Sequence, residues 1–158
     1  MYNVAGVFLY IKENTIEFAE KTYISEILGS IFEETDVTNF VVNANNNNYS
    51  VSDDKALLLS KDGKKIIFAA PSKEYNDYVI EEKYTEIAPA AFSGVNIKSL
   101  TIINPNLTIG EFAFANCDTL EKVVFPTESG MTIKEHAFNY ASGLVTIENL
   151  SSNKIVEL

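Results

Sequence analysis

The apolar positions of this chain follow neither the period of a long helix nor that of a long strand. They recur instead in blocks. Ile109, Ala113, Phe114, Leu120, Val123 and Phe125 form one block, with polar residues filling the gaps. The same spacing returns further on, at Ile133, Ala137, Phe138, Leu144 and Ile147, and earlier, at Ile87, Ala91 and Phe92. After a one-residue deletion the earlier copy continues at Ile97, Leu100 and Ile102. A weaker copy reads Ile27, Ile31, Phe32, Val37, Phe40 and Val42, with the same internal spacing as the 87–102 copy.

Such a block is one turn of a coil rather than one element. In I-x-x-x-A-F, the Ile–Ala and Ile–Phe separations put all three on one face of a short helical turn, and the small Ala permits close approach. L-x-x-V-x-F then ends in the alternation of a short strand. A unit of about 23 residues cannot bury its own apolar side, whereas stacked units bury it in continuous rows. One such row is predicted to hold Phe32, Phe92, Phe114 and Phe138.

Other segments read as hairpins. Leu57 to Ser60 and Lys65 to Phe68 flank KDGK, whose Asp62-Gly63 pair is a strong turn signal. Val7 to Ile11 and Thr15 to Phe18 flank Glu13-Asn14 in the same way. The expected organisation is a single domain with a hairpin-like start (1–20), a repeat (21–43) and a hairpin insertion (44–79). Three repeats follow (80–103, 104–126 and 127–150), then a C-terminal strand or cap (151–158). ANNNNYS, Ala44 to Ser50, is the loop between modules.

Composition narrows the function classes. Apolar residues make up 46% of the 158, enough for a real core. The net charge is −10, and all twelve basic residues are lysines. So acidic a chain repels phosphate backbones, which argues against nucleic acid as a partner. Without arginine it has no guanidinium fork of its own. Cys117 is the single cysteine, so no internal disulfide forms. MYNVAGVFLYIKEN lacks the basic and apolar regions of a signal peptide, and no apolar stretch approaches the ~18 residues of a membrane span. The expected setting is the cytoplasm if the chain is complete, or an exported protein from which this is the mature part.

IAPAAFSGVNIKSLTI, IGEFAFANCDTLEKVVFP and IKEHAFNYASGLVTI resemble the BspA-like leucine-rich repeat family, also called the Treponema pallidum type. Asn46, Tyr49, Ser50, Leu59, Lys61 to Gly63 and Ile66 are similar to the hairpin that precedes repeats in such proteins. Ile31 departs from the usual alanine, and Asn149 stands where an apolar strand residue is expected. The resemblance implies a β-rich leucine-rich repeat solenoid of the α/β horseshoe type. It would carry a parallel sheet on one face, short helical or 3-10 turns on the other, and hairpin insertions. It further implies a microbial surface or secreted protein that attaches to host matrix or to other cells.

The chemistry-bearing residues have plain readings. Cys117 reads as a small buried residue packing between coils. His136 aligns with Phe112, not with a position facing Cys117, and reads as a surface histidine. Asp53-Asp54 and Glu81-Glu82 are adjacent acids that point to opposite sides, unlike the facing carboxylates of a glycosidase. A calcium loop near Asp53 and Asp54 is the weaker alternative to solvated charge, since hard cations need several converging oxygens. The glycosylation-type triplets at Asn48, Asn106 and Asn149 match the frequency that this composition produces by chance. No catalytic residue, metal or cofactor is assigned.

The strand face is the candidate partner-binding surface. If Leu100 and Ile102 point inward, then Ser99, Thr101 and Ile103 point out, with Lys122 and Val124, Thr146 and Glu148, and Asn39 and Val41 at equivalent positions. The expected function is a non-enzymatic protein-binding or adhesion-type module. The competing expectation is an intracellular structural or scaffold protein docking on a larger assembly. The partner is accordingly a host matrix protein, another surface protein or an intracellular assembly. Thinly capped ends leave end-to-end self-association open.

Overall fold

A computed structural model describes residues 2–4, 7–22, 35–127 and 130–148, with residues up to Ile11 described by backbone alone. The N-terminal sheet contains β1 (Tyr2–Val4), β2 (Val7–Lys12), β3 (Thr15–Phe18) and β4 (Asn39–Val42), in that order. The β2–β3 hairpin turns at Glu13, whose φ is 53°, as the Glu13-Asn14 signal predicts. β4 then adds to β3 in parallel, pairing Ile16 with Phe40 and Phe18 with Val42.

The next sheet starts with a three-stranded meander: β5 (Tyr49–Val51), β6 (Leu57–Ser60) and β7 (Lys65–Ala69). Its two turns share one hydrogen-bond pattern. Ser60 Oγ donates to Asp62 Oδ1 at 2.6 Å, Asp62 Oδ1 also accepts from the Lys64 amide, and the Lys65 amide donates to Ser60 Oγ. Ser52, Asp54, Ala56 and Leu57 repeat this set in the preceding turn. Left-handed residues sit at Gly63 (φ 71°) and Lys55 (φ 61°). Asp and Ser make these turns because their short side chains satisfy nearby amides that the strands leave unpaired.

The repeats carry two parallel ladders. β9 (Glu86–Ile87), β11 (Thr108–Ile109) and β13 (Thr132–Ile133) extend the meander sheet from β7, so that Ile66, Ile87, Ile109 and Ile133 lie side by side. β8 (Tyr75–Ile80), β10 (Ile97–Ile102), β12 (Lys122–Val124) and β14 (Thr146–Glu148) form a separate all-parallel sheet. The core between the ladders follows the predicted columns. Phe92 and Phe114 are fully buried, with ring centroids 5.0 Å apart and planes 18° apart. Phe114 and Phe138 are 5.2 Å apart and nearly parallel. Ile27, Ile31, Phe32 and the 151–158 cap lie outside the described residues.

The expected helical turns are not what connects the ladders. Among the described residues no helix occurs. Each I-x-x-x-A-F segment is a chain of β-turns, with Ala91 donating to Ala88 O, Ser93 to Ala90 O and Val95 to Phe92 O. The intervening amides point along the coil axis: Ala90 donates to Glu111 O, Phe92 to Ala113 O and Gly94 to Ala115 O. Two left-handed residues per turn prevent a helix: Ala90, Phe112 and His136 in one column, and Gly94, Asn116 and Tyr140 in the next. Their φ values lie between 54° and 70°. The shared apolar face survives, since Ile109, Ala113 and Phe114 are all fully buried.

Two buried asparagines close the loops that lead back to the short strands. Asn46 donates to Ala19 O and Thr22 O, and its Oδ1 accepts from the Asn48 and Tyr49 amides. Asn104 donates to Tyr84 O at 2.7 Å and accepts from the Asn106 amide. An asparagine can do both because its amide is donor and acceptor at once. Ile16, Phe18, Phe40, Tyr49, Leu58 and Phe68 form a further core cluster that joins the N-terminal sheet to the meander.

Candidate interaction surface

Parallel pairing in register turns a sequence repeat into rows of side chains across a sheet. On the outer face of the β8–β10–β12–β14 sheet, Asp77, Ser99, Lys122 and Thr146 form one row. Val79, Thr101, Val124 and Glu148 form the next. Four strands at the usual spacing of ~4.8 Å make a face about 14 Å across. Ser99 Oγ donates to Asp77 Oδ1 at 2.6 Å, and Lys122 Nζ pairs with Glu148 Oε1 at 2.8 Å. That ion pair is half exposed, so it contributes at most about 1 kcal/mol and leaves both groups open to exchange partners. Val79 and Ile103 are each 45% exposed, which sets apolar patches beside the charged positions.

Seven of the nine sequence-predicted surface residues therefore belong to one region: Ser99, Thr101, Ile103, Lys122, Val124, Thr146 and Glu148. Asn39 and Val41 lie elsewhere, on β4, which pairs with β3 in the N-terminal sheet. The hairpin strands inserted between β4 and β8 interrupt the row. The face also contains two residues absent from the sequence-predicted set, Asp77 and Val79. Their strand was legible in principle, because Tyr75, Tyr78 and Ile80 precede Ile97, Leu100 and Ile102 by one constant offset.

The reactive side chains are arranged for structure. Cys117 is fully buried and its thiol donates to Phe92 O at 3.1 Å. Burial pushes its pKa up from 9.0 to about 12, the opposite of what a nucleophile needs. His136 is exposed and stacks on Phe112, with centroids 5.1 Å apart and planes 16° apart. Asp54 holds its own turn and lies 3.9 Å from Lys73, and Glu81 pairs with Lys83 at 2.9 Å. Tyr75 and Tyr78 are both shifted upward, chiefly by burial. Among the described residues no group of three His, Cys, Asp or Glu side chains could hold a metal ion, and no helix is long and apolar enough to cross a membrane.

Comparison with known proteins agrees with this architecture. The chain is similar to a leucine-rich repeat protein from Eubacterium ventriosum, at 18% identity and a TM-score of 0.61 over 85% of this chain and 41% of that one. It is also similar to the pneumococcal vaccine antigen PcpA, at 22% identity and a TM-score of 0.52 over 70% of this chain and 33% of that one. It thus spans less than half the length of either protein. No curated protein matches the sequence. The model of the BspA-type leucine-rich repeat region matches residues 64–157, which begins at the meander strand β7 rather than at the first obvious copy. With its repeats, its parallel ladders and this match over more than half its length, the chain belongs to the BspA-type leucine-rich repeat family.

Proposed function

We propose that the protein is a non-enzymatic protein-binding module that uses the outer face of the β8–β10–β12–β14 sheet. The observation that carries this reading is the pair of aligned rows. Asp77–Ser99–Lys122–Thr146 offers hydrogen bonds and charge, and Val79–Thr101–Val124–Glu148 offers β-branched surface. Rigid rows on a solenoid suit an extended partner, because little side-chain or backbone order must be created on binding. The acidic balance of the chain favours a partner with a basic patch, mainly through the rate of encounter. The family resemblance supports a microbial surface or secreted setting and attachment to host matrix or to other cells.

Affinity capture tests this reading. The immobilised chain is presented with a host-matrix extract and with lysate of the source organism. Each captured protein is then titrated against the Thr101→Arg/Val124→Arg variant. The proposal expects at least a tenfold loss of affinity with an unchanged unfolding midpoint. Binding that is indifferent to both substitutions overturns it. Labelling native protein on intact and on permeabilised cells decides the setting, and a protein reached only after permeabilisation ends the surface reading.

A further inference from the structure

A second contact position lies on the turn side of the coil, outside the sheet face. Phe112 and His136 occupy the same column of consecutive turns, and their rings stack at 5.1 Å, close to the spacing between coils. Phe112 is 41% exposed. The turn before it places Ala90 in that column, with the same left-handed backbone (φ 55° against 54° for Phe112). The ladder of flat groups therefore stops one rung short. A methyl group stands where a third ring would lie, and among the described residues the ring stacked on Phe112 is that of His136.

Phe112 is costly where it stands. A bulky residue in the left-handed region carries strain on the order of 1–3 kcal/mol, and Phe112 is not one of the buried core residues. Phe114, two residues on, is the ring that the fold uses. An exposed aromatic side chain such as Phe112 is of the kind enriched at protein interfaces.

Charge selects the occupant. Glu111 and Glu135 are exposed, and each sits one residue before a ring of the ladder. The Glu111 carbonyl accepts the Ala90 amide at 2.9 Å, so its backbone borders the empty rung directly. A cation lying on an aromatic face beside carboxylates is favoured by the ring quadrupole and by direct charge attraction. A planar guanidinium fills a slot one ring thick and can still offer N–H groups to a carboxylate, which a lysine ammonium does not do flat. These 158 residues contain no arginine, so the group comes from outside them.

We propose that the empty rung over Ala90 receives an arginine side chain of a different protein, its guanidinium stacked on Phe112 and paired with Glu111. The test is site-resolved NMR titration with acetyl-Gly-Arg-Gly-amide and its lysine counterpart. The arginine peptide should shift the Ala90 methyl and Phe112 ring resonances saturably, at least threefold more tightly than the lysine peptide. Phe112→Leu, which keeps apolar bulk but not the flat ring, should lose that preference. Ala90→Phe fills the rung at a φ that Phe112 already tolerates, and should abolish the shifts. The inference is overturned if these resonances do not move, if lysine binds equally, or if binding survives Ala90→Phe in a variant whose other resonances are unchanged. Because the sheet-face variant Thr101→Arg/Val124→Arg should leave this titration intact, the two surfaces stand or fall separately.

Discussion

Replacing Phe114 by alanine is the sharpest perturbation of the coil. The ring is fully buried between Phe92 at 5.0 Å and Phe138 at 5.2 Å. A buried Phe→Ala change costs about 3–5 kcal/mol. Each stacked partner adds about 0.5–1.5 kcal/mol beyond area, so the expected loss lies near the top of that range, about 5 kcal/mol. Small domains have about 5–15 kcal/mol in total, so the variant should be close to unfolded. Urea titration followed by far-ultraviolet circular dichroism measures the loss, with Lys122→Ala as the control. Lys122 is partly exposed and its bond to Glu148 contributes at most about 1 kcal/mol. A Phe114→Ala loss below about 1.5 kcal/mol, or one equal to the Lys122→Ala loss, would refute the assignment of inner and outer faces.

Three more outcomes follow from the packing. Gly110→Ala should destabilise by about 1–3 kcal/mol in thermal unfolding, because its Cβ would lie 2.6 Å from Pro89 N and 2.8 Å from Ile87 O, both backbone atoms that cannot swing away. Asn104→Leu should cost about 1–3 kcal/mol, since the Tyr84 carbonyl and the Asn106 amide lose their partner, and chemical denaturation reads the change. Stability should fall in alkali. The Cys117 thiol ionises near 9.0 when unfolded and only near 12 when folded, so between those values the unfolded chain holds fewer protons and gains on the native state. The contribution is intact below pH 9, is lost as pH climbs toward 12, and should shrink in Cys117→Ala.

What was legible in the sequence is what depends on burial. Ile, Ala and Phe recur at Ile87–Ala91–Phe92, Ile109–Ala113–Phe114 and Ile133–Ala137–Phe138 because each column must fill the same space in every coil. The conformation of the turn was not legible, because a spacing of four and five suits one helical turn and a chain of β-turns alike. The signal that separates them was present but partial. Gly94 and Asn116, both tolerant of positive φ, stand two residues after Phe92 and Phe114. His136 belongs to a residue type enriched at positive φ, but Ala90 and Phe112 give no such warning, as neither favours that region.

The first strand of the repeat sheet is hidden for a different reason. Tyr75 and Tyr78 fill the inward positions with aromatic rings, where later copies use Ile, Leu or Val, and the Asp62-Gly63 hairpin signal dominates the preceding segment. Asn39 and Val41 align with Ser99 and Thr101 by one constant offset along the chain. Such spacing does not reveal that inserted strands move one copy into another sheet. The exposed face follows from alternation alone, but its pairing across strands, Ser99 with Asp77 and Lys122 with Glu148, needed coordinates.

The central claim is that successive coils stack in register, ring over ring. Aromatic-resolved nuclear Overhauser spectroscopy tests it most directly. The Phe114 ring should show cross-peaks to both Phe92 and Phe138, and the Leu100, Val123 and Ile147 methyl groups should connect in that order. Phe114 cross-peaks to neither ring, or to residues outside these columns, would contradict the coil and the surfaces built on it.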